Sequence, residues 1–332
     1  MLKHDPIPWL MKQDGLSALR ARRRLGLDRK GDEQAVRALT GKLRKAQRRD
    51  GSFGQSIMKT AGVLNLLDEV APDNFAKPIE RAARYLISIL QAQPGYGSAK
   101  KVKPGGLEAP LDLCGFFGPY EDRRKPDVMA RGAREMNFHR EYEPLLGPKA
   151  PVRARARSSY DRPGPSSCFA WGLMPLAYVT EALCRAGYGR DRNVKPAINV
   201  LLGAQRESGG WCRNLSGHPA CSLHAIRALG AHPTLRRSRH IEHALAFLRA
   251  AQRGERGGPA QTWWARTGAF AGLQAVAAFR SPIAREILRE GLTALAPRQR
   301  KNGSFGTPCP VERVAAVLAA VEAIGEDKSD EQ

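Results

Sequence analysis

The sequence has few aromatic residues and no long run of apolar residues. Aromatic residues make up 7% of the chain, and the longest continuous apolar stretch is the eight residues from Val314 to Val321. A membrane-spanning helix needs roughly 20 apolar residues, so no span is predicted. Six cysteines in 332 residues are too sparse for a disulfide scaffold. Because the N-terminus also lacks the apolar segment of a signal peptide, we expect a reducing, cytoplasmic location.

Acidic residues are scarce relative to basic ones. The chain has 54 Lys and Arg against 32 Asp and Glu, a net charge of +22. We therefore expect an anionic partner, either a phosphate-bearing ligand or a nucleic acid. A P-loop, a G-x-G-x-x-G segment, C₂H₂ zinc fingers and an RRM signature are all absent from the sequence, so no standard nucleotide-binding or nucleic-acid-binding module is predicted.

An internal repeat organises the chain. Segments that begin at Gln47, Gln205 and Gln299 share the pattern Q-x-x-x-G-x-(F/W), and looser copies begin at Gln91 and Gln252. Each copy follows a more polar helical pattern and precedes a more apolar one. Helix hairpins of this kind bury their apolar helices by stacking into a closed two-layer ring. We predict an all-α fold, an (α/α) toroid of about five to six helix hairpins, with inner helices at 57–67, 168–186, 220–231, 267–279 and 309–324.

The predicted toroid spans residues 34–325. A basic N-terminal helical segment, 1–33, precedes it, an Arg- and Pro-rich insertion around 118–165 interrupts it, and an acidic tail, 326–332, follows it. The aromatic residues of the repeated corners are expected to fill the space between successive hairpins: Phe53, Trp211 and Phe305.

The Q-x-x-x-G-x-(F/W) corners resemble the QW-type repeats of squalene–hopene cyclases and of protein prenyltransferase β subunits, which share an αα-barrel. The resemblance covers roughly residues 34–325, and Pro8-Trp9-Leu10-Met11 is similar to the N-terminal segment of uncharacterised bacterial proteins with such repeats. The D-x-D-D motif that protonates the cyclase substrate is absent, and so is the magnesium-binding D-D-x-x-D motif of terpene synthases. With few aromatic residues to stabilise carbocations, the chain is not expected to be a polycyclase.

Cysteines mark equivalent positions in different repeats, each at or just before a predicted inner helix: Cys114, Cys168, Cys221 and Cys309. In a closed ring such positions converge on one rim, where the positive ends of the helices lower thiol pKa values and favour metal binding. Cys212 can approach the same rim, whereas Cys184 is expected to pack in the core. We predict a metal site, with a lone catalytic thiol and simple core packing as the alternatives.

The resemblance to protein prenyltransferases implies part of the ligand set. Those enzymes hold zinc with an Asp-x-Cys on one inner helix and a His on another. Asp112 and Cys114 match the first element, and His218 or His224 is a candidate for the second, although the family's Tyr-His-x-Cys run is not reproduced. Because the additional cysteines also suit a Zn(Cys)₄ site or an iron–sulfur cluster, we expect zinc, with an iron–sulfur cluster as the alternative.

A basic loop precedes Cys168, and the prolines around it disfavour a helix. It contains residues suited to binding phosphate: Arg153, Arg155, Arg157, Tyr160 and Arg162. Solvated surface charge is the alternative interpretation of this run.

Two functions therefore fit the sequence. The first is a metal-dependent enzyme, a transferase by analogy, that acts on a phosphate-bearing substrate such as an isoprenoid diphosphate. The second is a nucleic-acid-binding protein with a structural metal site, in which the charge of +22 neutralises phosphates. The repeat favours the first and the net charge favours the second.

Overall fold

The computed structural model describes residues 2–54, 57–70, 75–91, 176–211, 220–255, 269–306 and 310–325. Twelve α-helices lie in these ranges: α1 Ile7–Met11, α2 Leu16–Arg24, α3 Asp32–Ala46, α4 Ile57–Val70, α5 Ala76–Gln91, α6 described over 176–185, α7 Lys195–Gly203, α8 Ala220–Ala231, α9 Arg239–Gln252, α10 Ala269–Val276, α11 Pro282–Leu295 and α12 Pro310–Gly325. These ranges contain no β-strand, only an isolated bridge between Gln47 and Phe53. The prediction of an all-α chain is confirmed for them.

Even-numbered helices from α4 onward lie where the sequence predicts inner helices. Helix α4 buries ten of its 14 residues and therefore packs on most of its surface. Helix α5 buries six of its 16 residues, with the spacing of a single helical face. The predicted difference between an apolar and an amphipathic helix therefore holds for this pair. None of the helices in the described ranges has the length and apolarity needed to cross a membrane.

The even-numbered helices contact one another in chain order. Helix α2 packs against α4, α8 against α10, α10 against α12, and α12 against α2. Ion pairs join the remaining neighbours, because Asp68 of α4 faces Arg185 of α6, and Glu181 of α6 binds Arg227 of α8. Helix α2, which belongs to the predicted N-terminal segment 1–33, thus contacts both the first and the last of the predicted inner helices.

The Q-x-x-x-G-x-(F/W) segment at Gln205 builds the corner that receives the next odd-numbered helix, α9. Gln205 Nε2 donates to the carbonyl oxygen of Gly209 at 3.0 Å and to that of His240, at the start of α9, at 2.8 Å. Gly209 has a φ of +87°, and a Cβ there would lie 2.2 Å from the carbonyl oxygen of His243. Only glycine permits this approach of α9. The corner aromatic residues are buried as predicted: Phe53, Trp211 and Phe305.

The same corner recurs at Gln47 and Gln299. Gln47 Nε2 donates to the carbonyl oxygen of Pro78, in the first turn of α5, at 2.8 Å. Gln299 Nε2 donates to the carbonyl oxygen of His4 at 2.7 Å, and its Oε1 accepts from the backbone N–H groups of Lys3 and His4. The last corner of the chain therefore receives the N-terminal segment in the way that earlier corners receive the next helix.

Candidate anion-binding site

A cavity of about 390 Å³ lies at the C-terminal ends of five even-numbered helices, α2, α4, α6, α8 and α10. This volume is within the range of small-molecule sites. Five charged side chains line it: Arg24, Asp68, Arg185, Arg227 and Arg236. The remainder of the described wall consists of Phe279, Gln274, Cys184 and small residues. The cavity is therefore a concave surface dominated by guanidinium groups.

The position of the cavity explains why four arginines can gather there. The C-terminal end of a helix carries a partial negative charge, which stabilises a cation and repels an anion. Arg24 is the last residue of α2, and Arg236 Nε donates to the carbonyl oxygen of Gly230 in the last turn of α8 at 3.1 Å. An anion in this cavity must therefore be held by the guanidinium groups rather than by helix backbone.

Glu181 fixes two of these arginines from beneath the cavity. Its side chain is fully buried, and its Oε1 accepts from Arg185 Nε at 3.1 Å and from Arg227 Nη2 at 2.9 Å and Nε at 3.1 Å. Burial alone would raise the pKa of Glu181, but the two guanidinium groups outweigh it and lower the pKa below its usual value. The same pairing outweighs the burial of Arg227 and raises the pKa of that arginine. Glu181 therefore stays ionised and holds both guanidinium groups in position.

Arg24 and Arg236 have no such partner. Neither forms an ion pair with a carboxylate in the part of the chain that the structure describes. Arg24 is open to solvent by its surface area, yet desolvation is the largest cause of the lowering of its pKa. Attraction by Glu69 opposes this lowering, and repulsion from Arg185 and Arg227 adds to it. A side chain that lines a cavity meets both conditions, because it is reached by water and surrounded by protein atoms. An anion between these groups would relieve their repulsion.

Apart from Arg24, the arginines of the basic run at 20–30 form ion pairs within the fold. The pairs are Arg20 with Glu69 at 2.6 Å, Arg22 with Asp32 at 2.6 Å, Arg23 with Glu33 at 2.6 Å and Arg29 with Asp14 at 2.7 Å. Arg24 is thus the one arginine of this run without a carboxylate within ion-pair distance among the described residues. Carboxylates mostly from outside the run therefore neutralise its other arginines, and Arg24 is the arginine of the run that lines the cavity.

The charge of the cavity suits a multivalent oxyanion. Four arginines face two carboxylates, Asp68 on the wall and Glu181 beneath it, which leaves a net charge of about +2. Guanidinium groups bind the oxygens of phosphate or sulfate through paired N–H donors. The arrangement can therefore hold a divalent group such as a phosphate ester.

Cys184 also lines the cavity, but its sulfur is not poised for chemistry. Its side chain is buried among core residues, as the sequence predicts. Burial, with the charge of Glu181 adding to it, raises the pKa of the Cys184 thiol to about 12. At neutral pH the group is a thiol, which is a weak nucleophile.

Most of the predicted metal and anion ligands lie outside the described residues: Cys114, Cys168, Cys212, Cys309, Asp112, His218, Arg153, Arg155, Arg157, Tyr160 and Arg162. Cys221 is in the first turn of α8, and the placement of its side chain is not described. His224, one turn later, is half-buried and interacts electrostatically with Glu181. The described ranges hold no group of three or more His, Cys, Asp or Glu side chains arranged for a metal. The metal site stays a prediction.

Sequence reasoning missed the arginines of the cavity because it searched for runs of charge. Arg227 is the one Lys, Arg, Asp or Glu residue of α8, and Arg185 and Glu181 are the two charged residues of α6 as described. A charged residue in a buried helix needs an ion-pair partner or access to a cavity. Charged residues in the predicted inner helices were therefore the sequence feature that could have indicated this cavity. Comparison with models of known protein families found no match, and comparison with curated proteins found none either.

Proposed function

We propose that this protein is an αα-toroid that binds a phosphate-bearing molecule in its arginine-lined cavity. The observation that carries the proposal is the convergence of Arg24, Arg185, Arg227 and Arg236 on one cavity of about 390 Å³. Four guanidinium groups with few counter-charges favour a multivalent oxyanion over a neutral ligand. An enzyme that acts on such a substrate, for example an isoprenoid diphosphate, is the activity we infer from this site and from the QW-like repeat.

The helix contacts support the ring. Helices α2, α4, α6, α8, α10 and α12 touch in sequence, and α12 returns to α2, where Ser17 Oγ donates to Glu312 Oε1 at 2.5 Å. Gln299 holds the N-terminal segment as Gln47 and Gln205 hold later helices. We therefore pair α1 with α2 as a sixth hairpin, so that residues 2–24 close the ring rather than precede it.

Pyrophosphate binding to two matched variants tests the proposed site. Arg24→Gln removes a charge from the cavity, whereas Arg84→Gln removes the same charge from the surface of α5, where the side chain is 75% exposed. Loss of one charged hydrogen-bond partner weakens binding by about 1.5–3 kcal/mol, roughly 10- to 100-fold in Kd. We expect this loss for Arg24→Gln by titration calorimetry and little change for Arg84→Gln. Equal effects of the two variants would contradict a localised site.

Nucleic-acid binding is the second candidate, favoured by the net charge of +22. An extended polyanion loses affinity steeply as salt rises, with a slope set by the number of phosphates neutralised. A steep slope with a DNA duplex, together with equal losses for Arg24→Gln and Arg84→Gln, would support this candidate. Pyrophosphate binding that persists at moderate salt and depends on Arg24 would support the cavity.

A further inference from the structure

Among the described residues that line the cavity, Asp68 is the one with an acidic side chain, and its position conflicts with an anion. Its Oδ2 lies 3.6 Å from Nη1 of Arg185, whose Nε already donates to Glu181. The Arg185 nitrogen nearest Asp68, Nη1, is one of the two guanidinium nitrogens that do not bind Glu181 and can donate to a ligand. An ionised Asp68 competes with the ligand for this donor and repels it.

A proton on Asp68 removes the conflict. The neutral carboxyl carries no repelling charge, and its O–H can donate to an oxygen of the ligand. We propose that the cavity takes up one proton with its anion, and that Asp68 is the group that receives it. This inference rests on the proposed function and specifies the ligand as an oxyanion bound more tightly at lower pH.

The surroundings of Asp68 are consistent with such a group. Burial raises the pKa of the Asp68 carboxyl, and the attraction of Arg185 does not cancel this effect. The charged and titratable groups around it come from three packed helices and the cavity wall: Arg20 and Arg24 of α2, Glu69 of α4, Glu181, Cys184 and Arg185 of α6, and Arg227 and Arg236 across the cavity. Near neutral pH Glu181 stays ionised and the Cys184 thiol stays neutral.

Sulfate is the appropriate probe, because its own charge is constant from about pH 5 to about pH 8 while side chains with shifted pKa values titrate. We expect sulfate affinity to fall with rising pH above the pKa of Asp68, by up to about tenfold per pH unit, as linkage of one proton requires. Calorimetry in buffers with different ionisation enthalpies should show uptake of up to one proton per sulfate.

Two substitutions identify the group. Asp68→Asn should bind sulfate with an affinity that no longer depends on pH and without proton uptake. Asp28→Asn, on an exposed carboxylate that pairs with Arg23, should behave like the unaltered protein. Histidine ordinarily titrates in this range, so His224→Gln is the further control and should keep the dependence on pH.

The outcomes are separable. Sulfate binding by the unaltered protein without proton uptake, or a dependence on pH that survives in folded Asp68→Asn, would overturn the role of Asp68. Failure of both sulfate and pyrophosphate to bind at any pH would overturn the proposed function itself. If Asp68→Asn loses its helical circular dichroism, proton uptake by the unaltered protein, with His224→Gln as control, decides the question.

Discussion

Replacement of Glu181 by Gln removes one negative charge from beneath the cavity with little change of shape. Glu181 Oε1 accepts all the hydrogen bonds described above, while Oε2 is buried without a hydrogen-bond partner among the described residues. The amide nitrogen of Gln can take the position of Oε2, so that Oε1 still accepts from Arg185 and Arg227. The substitution therefore tests the charge of Glu181 more than its packing.

The expected loss of unfolding free energy depends on how deeply the two guanidinium groups that pair with Glu181 are buried. Removal of one partner from a buried ion pair costs about 3–5 kcal/mol in the free energy of unfolding. The Arg185 and Arg227 side chains keep 26% and 27% exposure to the cavity, and Arg185 also faces Asp68. We therefore expect about 3 kcal/mol, the lower end of that range, measured by denaturant unfolding at neutral pH.

Glu286→Gln is the matched control. Glu286 also pairs with two arginines, Arg249 at 2.8 Å and Arg253 at 3.3 Å, but its side chain is 43% exposed. An exposed pair contributes about 0–1 kcal/mol, so this variant should unfold almost like the unaltered protein. Similar losses for Glu181→Gln and Glu286→Gln would refute the argument that burial makes the Glu181 charge important.

The contribution of Glu181 to the free energy of unfolding should change with pH in a defined direction. Because the folded protein lowers the pKa of Glu181, its contribution to stability is present above the pKa of an unfolded glutamate and is lost as pH falls through the lower folded value. The difference in unfolding free energy between the unaltered protein and Glu181→Gln should therefore shrink on acidification. A difference that grows towards acid pH would contradict this sign.

Two further predictions concern the corners and the metal. Gly209→Ala should lower the free energy of unfolding by at least about 2 kcal/mol more than Gly187→Ala, measured by denaturant unfolding. Both glycines have positive φ, but only at Gly209 would an added Cβ clash with the carbonyl oxygen of His243. Equal losses for the two variants would rule out this clash. If the cysteines bind a metal, elemental analysis should detect it in the purified protein. The Cys221→Ser variant should lose this metal, whereas Cys184→Ser should retain it. An absorption spectrum distinguishes colourless zinc from a brown iron–sulfur cluster. If the purified protein contains no metal and Cys221→Ser leaves its stability unchanged, these cysteines pack in the core instead.

The helices were predictable from the sequence because the physical cause is local. Apolar residues that recur on one face or on all faces of a helix have that pattern in the sequence itself. The predicted range 220–231 matches α8, Ala220–Ala231, and 309–324 differs from α12, Pro310–Gly325, by one residue at each end. The repeat also marks the corner glutamine and glycine, but it does not identify their distant partners, since Gln205 donates to the carbonyl oxygen of His240, 35 positions away.

The cavity was not predictable in the same way, because it depends on contacts between distant segments. Arg24 and Asp68 are 44 positions apart, and Arg185 and Arg227 come from two further helices. Sequence reasoning weighed the dense basic runs, yet the run at 20–30 is mostly neutralised by carboxylates that lie nearby in the fold. A run of arginines in sequence therefore does not measure the free positive charge in space.

Helix α8 relates the observed cavity to the predicted metal site. Cys221 is in its first turn, whereas Gly230 and Ala231 at its other end line the cavity. A rise of about 1.5 Å per residue separates position 221 from position 230 by roughly 14 Å along the helix axis. The positive end of the helix suits thiolates and the negative end suits arginines. If the predicted metal site exists, the direction of this one helix separates it from the cavity, and a metal held near Cys221 would not coordinate an anion held by Arg227 and Arg236.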